Sequence, residues 1–398
     1  MLQFKSAAAL ARQNIHRCHK GAIMTSSSQD YTLAMEPVRI GQPAPQPAPQ
    51  DDGLSFSFSG SGAAYFRIWI VNLLLSILTL GIYSAWGKVR SHRYLYGHSR
   101  FAGAGFGYHG KPLAILKGRA LIFLVLLLLA VTQKYSPGLH ALLYLLLLPA
   151  LPWVVVMAMR FRLRNTSWRQ MRFNFRASTM DAVGPFILGL IITVLTLGIG
   201  YPYARHMQQR FLVNNAWFGN ARFEMLKCAG DYYRVYFRAS VLGLLMMLLF
   251  GFIGGLYSSI IGQLFHQRLS VFALLALGIL AYLMLLLMWM SIGQVVRDGL
   301  ANVMWNHVLL ESNGRLHRFE SSMTLRGLMN LHASNALLTM LTLGLYYPFA
   351  KLRALRYRLE HLKMFPDDDL DAIRARPQSS RSALGDAAAD GFELDLGL

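Results

Sequence analysis

The residues best suited to chemistry in this chain are cations, and they recur at fixed spacing. Lys88, Arg90 and Arg93 form one cluster, Arg205 and Arg210 a second, and Lys351, Arg353 and Arg356 a third. Each cluster follows a copy of one motif. The copies read Leu78-Thr79-Leu80-Gly81-Ile82, Leu195-Thr196-Leu197-Gly198-Ile199 and Leu341-Thr342-Leu343-Gly344-Leu345. In each, an aromatic stands five residues after the Gly, a Lys or Arg seven after and an Arg twelve after. Guanidinium and ammonium groups held together recognise phosphate and carboxylate oxygens. The chemistry expected is therefore binding of an anion, such as an anionic lipid head group.

Catalysis has no comparable signature. The chain contains no HExxH pair, no GxSxG elbow and no phosphate-binding P-loop. His92, His98 and His109 are near one another, but without a Cys or carboxylate beside them to complete a metal site. No catalytic residue, metal or cofactor is expected, and the chain is read as a non-enzyme. Embedded polar residues include Asn72, Thr79, Thr196, Asn335 and Thr342. Their ordinary role is hydrogen bonding between helices; the alternative is a path lined by the three Thr. The apolar segments hold no Asp or Glu, which disfavours proton-driven transport.

The elements that must position these residues are apolar. Of 398 residues, 54% are hydrophobic and 15% charged, where a soluble domain has roughly 25% charged. Seven uncharged runs stand out: Ile68–Gly87, Ala120–Gln133, Tyr135–Met159, Ala182–Ala204, Ala239–Phe265, Leu269–Val296 and Leu328–Ala350. A crossing needs about 20 residues. The pairs at 120–159 and 239–296 read as transmembrane helical hairpins. The other three carry the motif, and Pro202 and Pro348 should break or kink two of them near Gly198 and Gly344; the third turns at Gly81.

Between the runs lie short β-like segments. Asn165-Thr166-Ser167-Trp168, Asn214-Asn215-Ala216-Trp217 and Asn302-Val303-Met304-Trp305 share Asn-x-x-Trp, and an Arg-Phe pair follows each. Asn313-Gly314 marks a type I′ turn. A looser member spans His98–Gly110. These predict small β-hairpins outside the bilayer. The expected fold class is mainly α: a polytopic helical membrane protein with internal repeats, two transmembrane hairpins, three motif helices (spanning or re-entrant) and small extramembrane β-hairpins. Residues 1–52 read as a basic leader, of which 1–23 need not be translated, followed by a Pro/Gln-rich linker. Residues 53–363 form the membrane domain, with a duplicated unit at about 65–181 and 182–327 and a closing motif helix at 328–363. Residues 364–398 form an acidic, disordered tail.

The net charge is +20. Residues 53–363 hold 31 Lys/Arg against seven Asp/Glu. Because these cations sit beside apolar runs, nucleic acid is a poor partner; the anionic leaflet, worth roughly 1 kcal/mol per nearby cation, is a better one. Two cysteines exclude a disulfide scaffold. If all seven runs cross, the loops carry 17 cations on one side and nine on the other; if the motif helices leave and return on one face, the split is 24 to two. The positive-inside rule favours the second scheme and a basic cytoplasmic face.

The run Ile68-Trp69-Ile70-Val71-Asn72-Leu73-Leu74-Leu75, with Leu78 to Trp86, Lys88, Arg90 and Arg93-Tyr94, resembles the YjgN-like bacterial inner-membrane family. The resemblance covers roughly residues 54–363; the second motif copy departs most, with Met207 in place of an Arg. It implies a multi-pass protein of the bacterial inner membrane and supplies no activity. The expected function is binding of anionic lipid or another anion at a basic cytoplasmic face. A small-solute channel or transporter and a membrane scaffold or assembly partner are the alternatives, with protein partners unknown.

Overall fold

The structure, a computed structural model, describes residues 53–264 and 271–367. The readings of the leader, linker and acidic tail lie outside these residues.

Short segments that alternate apolar and polar residues form strands. They are β1 (Leu54–Phe58), β2 (Ser99–Phe101), β3 (Ala104–Tyr108), β4 (Thr166–Trp168), β5 (Met171–Phe175), β6 (Ala216–Phe218), β7 (Ala221–Met225), β8 (Val308–Ser312), β9 (Arg315–Ser321) and β10 (Leu362–Phe365). They do not stay separate. Each pairs antiparallel with its neighbours, and β10 pairs with β1 through Leu54 and Met364, closing a ten-stranded barrel. This overturns the expected fold class, a mainly α polytopic helical membrane protein with small extramembrane β-hairpins. The reason is physical. Half of the pairings, such as β1 with β2, join segments separated by a pair of helices, and local alternation carries no trace of so distant a partner.

The barrel is filled rather than hollow. Phe56 stacks on Phe101 at 4.3 Å, Phe101 meets Trp168 at 5.2 Å, and Trp168 meets Phe218 at 5.5 Å. Met225, Met304, Leu310, Phe319 and Met364 complete this core. Antiparallel order puts the four two-residue turns, 102–103, 169–170, 219–220 and 313–314, at one end. The helices all leave and return at the other.

Those helices are α1 (Gly62–Leu78), α2 (Ser84–His98), α3 (Pro112–Tyr135), α4 (Pro137–Arg164), α5 (Thr179–Val183), α6 (Gly189–Leu195), α7 (Tyr201–Asn214), α8 (Ala229–Leu264), α9 (Val271–Trp305), α10 (Leu325–Leu341) and α11 (Tyr347–Glu360); a π turn, Gly184–Leu188, joins α5 to α6. Neighbours in sequence pack side by side, and α11 packs on α1, so the helices form a ring standing on the barrel. Each returning helix meets its strand in the same way. His98, Asn165, Asn215, His307 and His361 each stand one residue before a strand, and each ring or amide nitrogen reaches the carbonyl four residues back at 2.8–2.9 Å. That bond satisfies a helix-end carbonyl and fixes where helix becomes strand. It also shows that Asn165 corresponds to Asn215 and His307, not to Asn214 and Asn302; Asn302 and Trp305 lie in α9.

Three helices among the described residues are long and apolar enough to cross a membrane: Pro112–Tyr135, Pro137–Arg164 and, within α8, Ala229–Leu256. The three motif segments are not single spans. Each is split into two helices, the first no longer than about 25 Å at 1.5 Å per residue. Pro202 and Pro348 do not break the first helix; they begin the second, where a missing N–H costs nothing. Loops from all parts of the chain supply strands to one closed sheet, so they share one side, and a scheme of seven crossings with alternating loops does not hold.

Candidate anion-binding site

The motif is a helix-reversing turn. In each copy two residues take the left-handed conformation: Leu80 and Gly81 at φ 49° and 91°, Leu197 and Gly198 at 50° and 92°, Leu343 and Gly344 at 49° and 91°. At φ near 90° glycine is strongly preferred. The Thr hydroxyl clasps the turn. Thr79, Thr196 and Thr342 donate to the carbonyl four residues back at 2.7–2.8 Å and accept from the N–H four residues on at 2.7–2.9 Å. Each of these hydroxyls makes both bonds within its own turn. Below the turn, Asn72 donates to Gly87 O at 3.2 Å and Asn335 to Ala350 O at 3.3 Å, locking first helix to second. In the middle copy Gly189 stands against Ala204 instead, close enough that an added Cβ would lie 3.3 Å from the Ala204 methyl.

This geometry sets depth as well as direction. The tip residues Leu80, Leu197 and Leu343 are 93–95% exposed. Ser84, just past the first tip, accepts from Arg119 of α3. Tyr201, just past the second, packs edge-on against Tyr236 of α8 at 5.4 Å. The uncharged runs of those two long helices begin at Ala120 and Ala239. The first two apolar tips thus stand level with the start of the long uncharged runs, and the cations seven residues beyond the tip glycines, about two helical turns, stand beneath.

The predicted cations separate into three groups. Lys88 on α2 and Lys351 on α11 converge on His92, and α4 brings a third cation, Arg162. Burial, followed by Lys351, Lys88 and Arg162 in that order, holds the His92 imidazole down to about 3, so it is neutral. Its ring stacks on Tyr108 at 5.0 Å, and its Nδ1 is shielded from solvent with no hydrogen-bond partner. Arg205 lines a cavity between α7, α8 and α9. The others serve the fold or the surface. Arg210 Nε donates to Met225 O at 3.0 Å, Arg353 Nη1 to Asn335 Oδ1 at 2.9 Å and Arg356 Nη2 to Gly60 O at 3.1 Å. Arg90 and Arg93 are exposed on α2.

Sequence reasoning missed that Lys88 and Lys351 act together on His92, and Arg162 with them. The one available signal was that Arg160, Arg162 and Arg164 end an apolar run just before a strand. It also missed Asp298, which is fully buried in α9. Its carboxylate takes His332 Nε2 at 2.7 Å and Arg358 Nη2 at 2.6 Å, tying α9 to α10 and α11. Cys228 is a buried thiol pushed up to about 12 by burial and by Asp231.

A barrel with a ring of helices, three apolar tips and long apolar helices defines a membrane protein with a large polar base. The chain belongs to the family described as bacterial protein of unknown function (DUF898), whose model matches residues 53–391. It is 26% identical to the inner membrane protein YjgN of Escherichia coli strain K12 over 387 residues, 83% of this chain and 93% of that one. The O157:H7 counterpart is 25% identical over the same shares. The inner membrane protein YjgN of Salmonella typhimurium is 30% identical over 156 residues, 36% of this chain and 40% of the relative's length. No solved structure matches. The protein is thus a multi-pass protein of the bacterial inner membrane.

Proposed function

We propose that the protein acts by binding: its helix ring engages anionic lipid head groups at the cytoplasmic surface of the inner membrane. The observation that supports this most is the convergence of Lys88, Lys351 and Arg162, from three separate helices, on one partly buried histidine. Ammonium and guanidinium groups brought together from separate helices suit the several oxygens of an anionic head group. Their depth, beneath the apolar tips, is that of head groups. The barrel and its cation-rich loops lie on the cytoplasmic side in this reading, as the positive-inside rule requires. The three motif hairpins are interfacial, dipping their leucines into the leaflet without crossing it. The filled barrel offers no route along its axis, so the channel reading gains nothing from it.

The test is lipid retention. The full chain, purified in neutral detergent, should keep phosphatidylglycerol in native mass spectra. The double reversal Lys88→Glu/Lys351→Glu should lower that retention about tenfold, matching roughly 1.4 kcal/mol lost. Retention equal to that of the unaltered protein would overturn the reading.

A further inference from the structure

A cavity lies between α7, α8 and α9. The cavity there measures about 310 Å³. Its polar lining comes from Tyr201, Arg205, Gln209, Tyr232, Tyr236 and Arg297, with apolar residues such as Val296 and Leu300 on the rest of the wall. Two guanidinium-bearing side chains line the cavity, and among the described residues no carboxylate does.

The feature that points to a ligand is Tyr232. Its side chain is 1% exposed, and its hydroxyl is buried with no hydrogen-bond partner. A buried phenol normally finds a partner, because leaving it unpaired costs free energy. Its ring is fixed by the edge of His206 at 5.3 Å, and His206 is fixed in turn by accepting the Cys228 N–H at 3.2 Å. The Gln209 amide is already committed, its nitrogen lying 2.9 Å from Met304 Sδ. Tyr232 thus lines a cavity that also presents Arg205.

We propose that this cavity seats a phosphate group, with Arg205 supplying charge and the Tyr232 hydroxyl donating to a phosphate oxygen. Phosphate fits better than carboxylate because it offers enough acceptor oxygens for a guanidinium and a phenol at once. Tyr201 and Tyr236 line the cavity, and Tyr236 stands three residues before the uncharged run that starts at Ala239. That depth and the apolar wall are what a lipid phosphodiester would meet, although a free phosphate carries the same chemistry. The proposal rests on the head-group reading above and deepens it by naming one pocket, built on helices other than those that carry His92, Lys88, Lys351 and Arg162.

The experiment follows apparent thermal unfolding of the full chain. The probes are inorganic phosphate in neutral detergent, and phosphatidylcholine nanodiscs with and without phosphatidylglycerol. Tyr232→Phe removes the orphan hydroxyl without opening space. It should raise the unfolding midpoint when no phosphate is present and weaken the response to the probe about tenfold. Arg205→Gln should weaken the response likewise, and Arg205→Lys should restore part of it. A response to both probes assigns the shared phosphate chemistry. A response to phosphatidylglycerol alone assigns the lipid, and one to inorganic phosphate alone assigns a soluble ligand. No response to either probe, or a response that Tyr232→Phe and Arg205→Gln leave intact, overturns the pocket. The two readings fail separately. Lipid retention lost in Lys88→Glu/Lys351→Glu with an inert pocket removes only this proposal, and the reverse pattern removes only the His92 site.

Discussion

His92 is the residue at which charge, burial and pH meet. Its folded-state value of about 3 lies below the ordinary 6.5. Below about pH 6.5 the unfolded chain therefore takes a proton that the folded one refuses. Stability contributed by this group is complete above that pH and declines as pH falls toward 3. The decline is at most about 1.4 kcal/mol per pH unit, or about 2 kcal/mol by pH 5. Urea or thermal unfolding between pH 7 and 5 should show that slope, and His92→Asn should flatten it. It should not abolish it, because burial and Arg210 lower His206 in the same direction. The unaltered protein should also lose part of the slope when anionic lipid is bound, since an anion beside Lys88 and Lys351 makes protonation of His92 easier. An equal slope in His92→Asn would remove this account. None of it was legible in the sequence, where His92 is one of twelve histidines and the lysine nearest it in chemical effect lies on the last helix.

At the scale of elements, the sequence was most legible where a rule is local. The Leu-Thr-Leu-Gly turns announce themselves because left-handed backbone selects Gly and the clasp selects Thr. Asn313-Gly314 has both residues at positive φ, 51° and 80°, as its type I′ reading requires. The equivalent turn at Arg169-Gln170 was not legible, because it breaks the rule: both residues sit at positive φ, 47° and 64°, with neither a Gly nor an Asn. Left-handed backbone costs most residues roughly 1–2 kcal/mol. Arg169→Asn/Gln170→Gly should therefore raise the unfolding midpoint, with a gain of about 1 kcal/mol in denaturant titration. Part of the gain is lost with the contact of the Arg169 guanidinium on the Trp168 ring at 4.7 Å. A lower midpoint would mean that this contact outweighs the strain. The Asn-x-x-Trp pattern misled for the opposite reason: it matched Asn214 one place, and Asn302 five places, before the true counterparts of Asn165, and only the helix-end bonds of Asn165, Asn215 and His307 reveal the correspondence.

The whole molecule is where sequence reading failed most, and the failure has one source. Periodicity reports what an element buries, not which distant element it pairs with. Seven apolar runs were found, but their ends could not be seen to meet in one barrel. That closure makes a firm prediction. Single cysteines at Ala102, Gln170, Asn220 and Asn313, in a background lacking Cys18, should all respond alike to an impermeant thiol reagent applied to intact cells. Protection at all four places the turns in the cytoplasm. Labelling at some and protection at others would break the barrel. Cys228 can stay, because a buried thiol held near 12 is almost entirely protonated at neutral pH and reacts slowly.

The pairing of Leu54 with Met364 also has a consequence for how the molecule is made. The first stave to leave the ribosome has to wait for the last, and residues 59–361 are synthesised between them. The apolar helices reach the lipid during that interval, so insertion comes before closure. Until β10 emerges, β1 and β9 each present an open edge. A chain stopped short of residue 362 would be anchored in the membrane yet left with two unpaired strands, a form that other open edges can capture and that proteases can distinguish from the finished protein.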